Sequence, residues 1–215
     1  MAKRWEAILE NRDQYDIVQI LTWNDYGESH YVGPIKGALP KSEAWTIGFD
    51  HTAFLDVHKF YIDGFKTGKF PDITEDRLVL WSRPHAALAK APSDQVGPPK
   101  NFDLFQDNVW ALAITSAPSQ VTLQTSPTNS KTFNVPGGVT KLAIPISPGD
   151  TMRGTIERDG KKVVEVTTPG FAFEGNPSSF NYNYFVAGLG SGDPAPNSTL
   201  SSSLSPPKPS TTSVS

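Results

Sequence analysis

Two carboxylates three positions apart, Asp25 and Glu28, lie in the densest cluster of chemically reactive side chains in the sequence. Acetal hydrolysis requires an acid that protonates the leaving oxygen and a base or nucleophile on the opposite face of the sugar. Gly27 between them permits a positive φ, which can fold the loop so that both carboxylates point to the same side. Three neighbouring aromatic residues would provide apolar walls for a sugar ring: Trp23, Tyr26 and Tyr31. This arrangement of residue types favours glycoside chemistry.

The same carboxylates allow two other interpretations. In a polar loop they can cap the next helix or form ion pairs with Lys36 and Lys41, and such pairs gather acidic residues without catalysing a reaction. A metal site formed by Asp25, Glu28 and His30 is possible by ligand type. Sugar hydrolysis requires no metal, however, and the sequence contains no compact ligand motif. We therefore expect neither a metal nor a cofactor.

The elements around this loop predict the end of a parallel barrel. Ile17 to Thr22 is a run of β-forming residues, too apolar to alternate, which predicts a strand buried on both faces. After a long loop from Asn24 to Asp50, a helix is predicted from His51 to Thr67, with Asp50 as its N-cap. A second buried strand is predicted from Arg77 to Arg83. Strand, loop, helix and strand in this order form a βαβ unit, and the reactive groups of a (β/α) barrel follow the carboxyl ends of its strands.

A different pattern begins at Val109, where short alternating segments are separated by turns. The segment from Ala86 to Gln106 is rich in Pro and Gly and is the predicted domain boundary. Asp159 and Gly160 are a strong hairpin signal between two of the later segments. Short strands at about ten-residue spacing predict an antiparallel β-sandwich. The six predicted strands are Val109–Thr115, Val121–Thr125, Lys131–Val135, Thr140–Ile146, Met152–Arg158 and Lys162–Thr167.

These patterns divide the chain into three parts, with a fold class of α/β plus all-β. Residues 1–106, which begin with an amphipathic helix over residues 2–12, are predicted to be the C-terminal part of a (β/α)8 barrel. Residues 107–190 are predicted to be the β-sandwich, and residues 191–215 a disordered linker rich in Ser, Thr and Pro. A whole barrel takes about 250 residues. The 215-residue chain can therefore hold only a fragment of one.

Composition argues against several classes of function. The net charge is −3 and there is no basic block, so a nucleic-acid partner is not expected. The chain has no cysteine and hence no disulfide or thiolate site. No apolar stretch approaches the roughly 18 residues of a membrane span. The N-terminal residues lack the apolar run of a secretory leader, so we expect the C-terminal portion of a longer enzyme or a degenerate gene product.

The segment from Thr22 to Tyr31, Thr-Trp-Asn-Asp-Tyr-Gly-Glu-Ser-His-Tyr, closely resembles a signature of the fungal α-1,3-glucanases (mutanases), glycoside hydrolase family 71. The likeness continues through Phe65–Gly68 and resumes at Leu80–His85 and Phe180–Gly188. The family hydrolyses α-1,3-glucan with inversion of the anomeric centre. It combines a (β/α)8 catalytic domain with a β-sandwich, so the resemblance implies the same fold class as the patterns above.

The resemblance also implies roles for particular residues. Asp25 and Glu28 would be the catalytic acid and base. Nine further residues would contact the substrate: Trp23, Asn24, Tyr26, His30, Tyr31, His51, Trp81, Arg83 and His85. The implied partner is α-1,3-glucan, without nucleic acid or membrane, and the implied protein is a monomer that is secreted or located in the cell wall.

These implications lead to expectations about geometry and about the chain alone. An inverting hydrolase holds its two carboxyl groups roughly 6.5–9.5 Å apart, because a water molecule must fit beside the sugar. Glu28 is expected to be the acid, because Tyr26 and Tyr31 would desolvate it. The alternative to an enzyme is a non-catalytic glucan-binding or structural remnant. The chain alone is expected to be inactive and poorly soluble, since barrel strands without their neighbours expose apolar faces and a bare edge.

Overall fold

In the computed structural model, which describes residues 1–193, two four-stranded sheets are combined with three α-helices. The helices are α1 (Ala2–Glu10), α2 (Glu43–Thr46) and α3 (Ala53–Thr67). The strands are β1 (Arg77–Ser82), β2 (Asn108–Thr115), β3 (Ser119–Ser126), β4 (Asn129–Val135), β5 (Gly138–Pro145), β6 (Arg153–Arg158), β7 (Lys161–Thr167) and β8 (Phe185–Gly190). The strand order is β5-β2-β1-β8 in the first sheet and β4-β3-β6-β7 in the second. Residues 194–215, most of the predicted linker, lie outside the described residues.

The prediction of an antiparallel, two-sheet architecture in the second half of the chain is confirmed. All six predicted strands are present, as β2 to β7, with ends that differ by a few residues. The hairpin between β6 and β7 turns at Asp159 and Gly160, whose φ values of 52° and 72° lie in the left-handed region that the predicted turn requires. The helices predicted over residues 2–12 and 51–67 are also present, as α1 and α3.

Strand β1 lies between two hydrophobic cores, because the side chains of a strand alternate in direction. Leu78 and Leu80 are fully buried against the apolar residues of the second sheet. Val79 points the other way, into the core that the first sheet shares with α1 and α3. The two sheets approach closely at Gly154 of β6, where an added Cβ would come within 2.8 Å of a methyl group of Leu78. The architecture is therefore three layers: helices, first sheet and second sheet.

Helices α1 and α3 cover the outer face of the first sheet. Trp5 of α1 stacks on Tyr61 of α3 with ring centroids 6.0 Å apart, and its Nε1 donates a hydrogen bond to Nδ1 of His58 at 3.0 Å. Near the start of α3, Asp50 Oδ1 accepts a hydrogen bond from the Thr52 N–H at 2.7 Å. No helix in residues 1–193 is both long and apolar enough to cross a bilayer.

The assignment of Arg77–Arg83 to a parallel barrel strand is wrong. β1 pairs antiparallel with β2 on one side and with β8 on the other, so it is a central strand of the first sheet. Its continuous apolar run is explained by the two layers that cover it, the helices and the second sheet. A strand buried on both faces has the same composition in a three-layer antiparallel fold as in a parallel barrel. β1 and β2 therefore pair although the Pro- and Gly-rich segment from Ala86 to Gln106, the predicted domain boundary, lies between them in the sequence.

The strand predicted from Ile17 to Thr22 is also not formed, so the predicted βαβ unit is wrong. Within residues 1–193 this segment has no strand partner, although Val18 and Ile20 pack against the helices. Ile17 and Leu21 point away from the protein and are 84% and 70% exposed. A buried strand needs neighbours on both edges, and the described residues provide none here.

Candidate active-site loop

The loop that follows this segment closes on itself through backbone hydrogen bonds. The N–H of Thr22 donates to the carbonyl oxygen of His30, and the N–H of Val32 donates to that of Thr22, both at 3.0 Å. The N–H of Gly33 donates to the Trp23 carbonyl at 2.9 Å, and an added Cβ at Gly33 would come within 2.7 Å of Trp23. Only glycine allows this close approach. The residues between the two arms, from Asn24 to Ser29, therefore form the tip of a short closed loop.

Asp25 and Glu28 lie together at this tip. The Asp25 N–H donates to Thr22 Oγ1 at 2.8 Å, and Asp25 Oδ1 accepts the Glu28 N–H at 3.2 Å. Glu28 Oε2 lies 3.5 Å from Nδ1 of His30, and both side chains are largely exposed. One oxygen of each carboxylate and one ring nitrogen of His30 all lie within 4.8 Å of one another. The two carboxylates that the sequence predicts to be catalytic are thus brought together with His30, a predicted substrate contact.

The turn that brings them together differs from the expected one. Gly27 does not have a positive φ; the left-handed residue is Ser29, with φ of 61°. A non-glycine residue at this φ is uncommon, and nothing in the sequence identifies it. The lysine pairs of the non-catalytic interpretation are also not formed: within residues 1–193, no ion pair joins Asp25 or Glu28 to Lys36 or Lys41.

The two carboxylates approach each other closely. One oxygen of Asp25 and one of Glu28 lie within 4.8 Å of each other, whereas the carboxyl groups of an inverting hydrolase are roughly 6.5–9.5 Å apart. The exposed Glu28 side chain is folded toward His30, and its carboxylate makes no hydrogen bond within the described residues. The same three groups also have the ligand types and the proximity that one cation would need, the alternative that the sequence left open.

Tyr26 and Tyr31 lie beneath the loop and do not form exposed walls beside the acids. They are 7% and 1% exposed, and their rings meet edge to face at 5.1 Å. The Tyr26 hydroxyl donates to the Pro34 carbonyl and accepts the Lys36 N–H, both at 3.0 Å. Because both rings are buried, neither desolvates the exposed Glu28 carboxylate. Of the predicted aromatic contacts in this segment, only Trp23 is exposed, at 59%; Asn24 beside it is exposed as well.

His51 joins the loop to the segment before β8. Its Nδ1 lies 2.8 Å from the Tyr31 carbonyl oxygen and its Nε2 lies 2.9 Å from the Tyr184 carbonyl oxygen. Its ring stacks on Tyr31 with centroids 4.0 Å apart and an interplanar angle of 4°. Burial lowers the pKa of His51, while the two carbonyl oxygens act in the opposite direction. The residue is 1% exposed, so in this structure it positions the loop from below.

Asn183 is a second support that sequence reasoning missed. Its Nδ2 donates to the Tyr31 hydroxyl at 2.9 Å and to the Trp45 carbonyl at 2.8 Å. Burial raises the pKa of Tyr31 to about 12, so the phenol is neutral and donates to the Phe49 carbonyl. An asparagine in an aromatic-rich segment more than a hundred residues away gives no sequence signal for this contact. Only its place within Phe180–Gly188, one of the family-like segments, could have drawn attention to it.

Trp81, Arg83 and His85 do not join the loop tip. His85 is 2% exposed; its Nδ1 pairs with the Ala86 carbonyl at 2.9 Å and its Nε2 accepts the Asn181 N–H at 3.0 Å. Trp81 and Arg83 line a separate cavity on the helix side of the first sheet. The cavity is linked to the loop by a series of packed rings, Trp81, Phe54, His51 and Tyr31, and by the contact of Tyr184 with His51. The predicted substrate contacts are therefore divided among the loop surface, the layer beneath it and this cavity.

The sequence of the chain is similar to known fungal proteins. The sequence model of glycosyl hydrolase family 71 matches residues 1–198. A glucan endo-1,3-alpha-glucosidase of Schizosaccharomyces pombe is 35% identical over 188 residues, which make up 86% of this chain and 43% of the relative. A mutanase of Penicillium rubens is 28% identical over 193 residues, 88% of this chain and 42% of the relative. An ascus wall endo-1,3-alpha-glucanase of S. pombe is 30% identical over 149 residues, 63% of this chain and 33% of the relative.

The match to these relatives covers only part of their length. The chain spans 43% and 42% of the first two relatives, about two fifths of each. No solved structure matches the chain significantly.

Proposed function

Because this chain belongs to glycosyl hydrolase family 71, we propose that its Asp25–His30 loop takes part in the hydrolysis of α-1,3-glucan. Asp25 and Glu28 are the reacting carboxyl groups, one as acid and one as base. The observation that carries the proposal is their meeting at the tip of one closed loop, beside the exposed ring of Trp23. The relatives' names support the substrate, since they are a glucan endo-1,3-alpha-glucosidase and a mutanase.

The two carboxylates are held differently, and this supports different roles. Asp25 is half-buried and oriented by the Glu28 N–H at Oδ1, which leaves Oδ2 to accept a proton from water as the base. Glu28 is exposed and contacts only His30 through its carboxylate, so its carboxyl group can reach and protonate the leaving glycosidic oxygen as the acid. Inversion then requires Glu28 to swing away from His30 until the carboxyl groups are roughly 6.5–9.5 Å apart.

A second part of the proposal concerns the fold of the segment before the loop. We propose that Ile17–Thr22 becomes a strand of a (β/α)8 barrel whose other strands lie in parts of the relatives that this chain does not match. Two observations support this: the segment has no strand partner within residues 1–193, and Ile17 and Leu21 are exposed where a neighbouring layer would cover them. A secreted or cell-wall location is proposed with it, by similarity to the ascus wall enzyme.

A chimaera tests the catalytic proposal. The matched residues of this chain replace the corresponding region of the S. pombe glucan endo-1,3-alpha-glucosidase, and reducing-end release from α-1,3-glucan is measured. The chimaera should be active, while Asp25→Asn and Glu28→Gln should each lower turnover by about 10²–10⁴-fold, because each removes a proton-transfer group. The matched control is Asp13→Asn, which removes an exposed carboxylate outside the loop and should leave turnover unchanged.

Four outcomes would count against parts of this proposal. Near-normal turnover of either loop variant excludes that carboxylate as a catalytic residue. An α-anomer as the first product, detected by proton NMR, would contradict inversion and agree with the short carboxylate separation seen here. Activity that is lost on dialysis against EDTA and restored by a divalent cation would favour the metal alternative at Asp25, Glu28 and His30. A well-folded chimaera that binds glucan without cleaving it would favour the non-catalytic remnant.

A further inference from the structure

A second group of partly exposed aromatic residues lines a cavity of about 460 Å³ on the helix side of the first sheet. The rings belong to Trp81, Phe105, Trp110 and Tyr184, and Arg83 lies among them. We call this cavity the aromatic groove. No residue of the Asp25–His30 loop lines it. Its volume is within the roughly 300–1,000 Å³ range of ligand sites in proteins.

The groove follows from strand register and from where the helices end. Trp81 of β1 and Trp110 of β2 are direct cross-strand partners, so their rings lie side by side on one face. Arg83 is two residues beyond Trp81 and returns to the same face, and Tyr184 precedes β8 next to it. Further along the face, Val79 is covered by α1 and α3. The helix layer stops at the start of α1, and the two tryptophans beyond it remain partly exposed.

Arg83 is held rigidly within the groove. Its guanidinium carbon lies 3.7 Å from the centroid of the Phe105 ring and 4.4 Å from that of Tyr184. Its Nε donates to the Tyr182 carbonyl at 3.1 Å and its Nη2 donates to the Tyr184 hydroxyl at 2.9 Å. Nη1 has no hydrogen-bond acceptor within the described residues. A donor fixed in this way loses little conformational entropy when a ligand binds.

This combination of groups suits a pyranose chain. A sugar ring presents an apolar face of C–H groups, which can stack on an aromatic ring, and a rim of hydroxyls, which accept from fixed donors such as Arg83 Nη1. Several cationic groups also line the groove: Lys3, Lys141 and the amino terminus of Met1. Lys141 is paired with Glu6, and the charge of Arg83 lies over ring faces. The side-by-side rings favour a ligand with both apolar and hydroxyl surfaces, and an anion is the alternative that the experiment must separate.

We propose that the aromatic groove is a second glucan-binding site, separate from the loop, which holds a short stretch of an α-1,3-linked chain. The choice of α-1,3-glucan rests on the proposed function of the loop. Trp81 and Trp110 provide the stacking surface, Arg83 provides the fixed donor, and Phe105 and Tyr184 hold Arg83 in place. Binding here positions or retains the polymer and does not itself break a bond.

The experiment measures binding to the 215-residue chain with Asp25→Asn and Glu28→Gln, so that the probe stays intact. The probe is an α-1,3-linked glucose tetramer, with α-1,4- and β-1,3-linked tetramers for comparison, titrated by calorimetry. We expect Trp110→Ala and Arg83→Lys each to weaken binding of the α-1,3 tetramer by about tenfold or more, as expected when a central contact is lost. Trp110→Phe keeps a ring and should retain most of the affinity. Thermal unfolding confirms that each variant is folded.

Two further variants distinguish the groove from the loop. Trp23→Ala removes the exposed ring at the loop and reports binding there, whereas the matched control Tyr15→Ala removes an exposed ring outside both sites and should leave the affinity for the tetramer unchanged. If Trp23→Ala weakens binding and Trp110→Ala does not, the sugar binds the loop and the proposal is wrong. Equal affinity for all three tetramers would contradict the proposed preference of the groove for the α-1,3 linkage. Displacement of the tetramer by inorganic phosphate, or a strong loss of affinity in 0.5 M NaCl, would show that the groove takes an anion instead.

The result is independent of the catalytic test. Absence of tetramer binding, together with an active chimaera, would contradict glucan binding in the groove and leave the proposed function of the loop intact. Tetramer binding that depends on Trp110, together with an inactive but folded chimaera, would support glucan binding in the groove and contradict the catalytic role of the loop.

Discussion

Among single residues, His51 and His58 are both buried, but their ring nitrogens make different hydrogen bonds. Nδ1 of His58 accepts a hydrogen bond from Trp5, and burial, together with the positive amino terminus nearby, lowers the pKa of His58 to about 4. His58 is therefore neutral and acts as an acceptor near neutral pH. His51 faces two carbonyl oxygens, and a neutral imidazole can donate to only one of them. The stability of the helix layer therefore depends on pH through His58.

The first prediction follows from this difference in pKa. Unfolded histidine titrates near pH 6.5, so between about pH 6.5 and 4 the unfolded chain binds more protons than the folded one. The contribution of His58 is present above about pH 6.5 and is lost as the pH falls toward 4. Between pH 7 and pH 4.5, the protein should lose about 2 kcal/mol more of its unfolding free energy than the His58→Gln variant loses.

Urea denaturation at the two pH values measures this difference. Glutamine can still accept the Trp5 hydrogen bond, so the variant removes the titration and keeps the contact. His30→Gln is the matched control, because His30 is exposed and its replacement should leave the pH dependence of the native protein in place. Equal pH dependence in the His58→Gln variant and the native protein would contradict the prediction.

At the scale of elements, Asp76 connects both sheets at the start of β1. Its carboxylate accepts two hydrogen bonds from Arg158 of β6, at 2.7 and 3.1 Å, and two from Ser116 after β2, at 2.8 and 3.1 Å. Burial alone raises the pKa of Asp76, but these hydrogen bonds outweigh it and hold the pKa below its usual value. One carboxylate thus fixes the relative position of three strands.

We predict that Asp76→Asn destabilises the protein by about 3 kcal/mol, because it leaves the partly buried Arg158 without its partner. The matched control is Glu165→Gln, which breaks the more exposed pair of Glu165 with Arg153 and should cost no more than about 1 kcal/mol. Chemical denaturation near neutral pH measures both. Equal losses in the two variants would mean that Asp76 contributes no more than a surface ion pair.

Some of these elements could be predicted from the sequence, and others could not. The hairpin at Asp159 and Gly160 was predictable because its turn type demands residues that tolerate a positive φ. The direction of β1 was not, since a strand covered on both faces has the same composition in either architecture. β8 was missed because Gly188 and Gly190 weaken a strand pattern. Gly188 is needed there because an added Cβ would lie 2.8 Å from Ala53 of α3.

The candidate site was predictable in a similar, partial way. The spacing of Asp25 and Glu28 correctly indicated that both lie on one loop, because residues so close along the chain cannot separate far. Spacing did not indicate the left-handed turn at Ser29 or the contact of Glu28 with His30, because neither a backbone dihedral nor a side-chain rotamer follows from spacing alone. The supporting contacts of Asn183 and His51 join segments far apart in sequence, and no local pattern predicts such contacts.

For the whole molecule, the segment from Ile17 to Thr22 combines one packed side with one exposed apolar side. We predict that the double variant Ile17→Ser and Leu21→Ser raises the soluble yield and changes the unfolding free energy by less than about 0.5 kcal/mol, because both side chains are exposed. Val18→Ser and Ile20→Ser, the matched controls, should destabilise the protein because they contact the helix layer. Sedimentation and denaturation measurements distinguish the two pairs.

The opposite result for the Ile17 and Leu21 double variant would count against the proposed barrel strand. If removing Ile17 and Leu21 left solubility unchanged and lowered stability, the exposed side of the segment would already be covered in solution. The segment would then need no further strands to cover it, and the proposal that it belongs to a (β/α)8 barrel would lose its main support.

The pairing of β1 with β8 also has a consequence for how the protein is made. β1 is synthesised before the other strands of the described residues, but its second neighbour is the last of these strands and follows the whole second sheet. Until then one edge of β1 carries unpaired N–H and C=O groups, a template for intermolecular pairing. Contacts between such distant residues also slow folding, because a long loop must close before they form. A nascent chain arrested before Phe185 has emerged from the ribosome should therefore depend on chaperones, whereas one from which Gly190 has emerged should not.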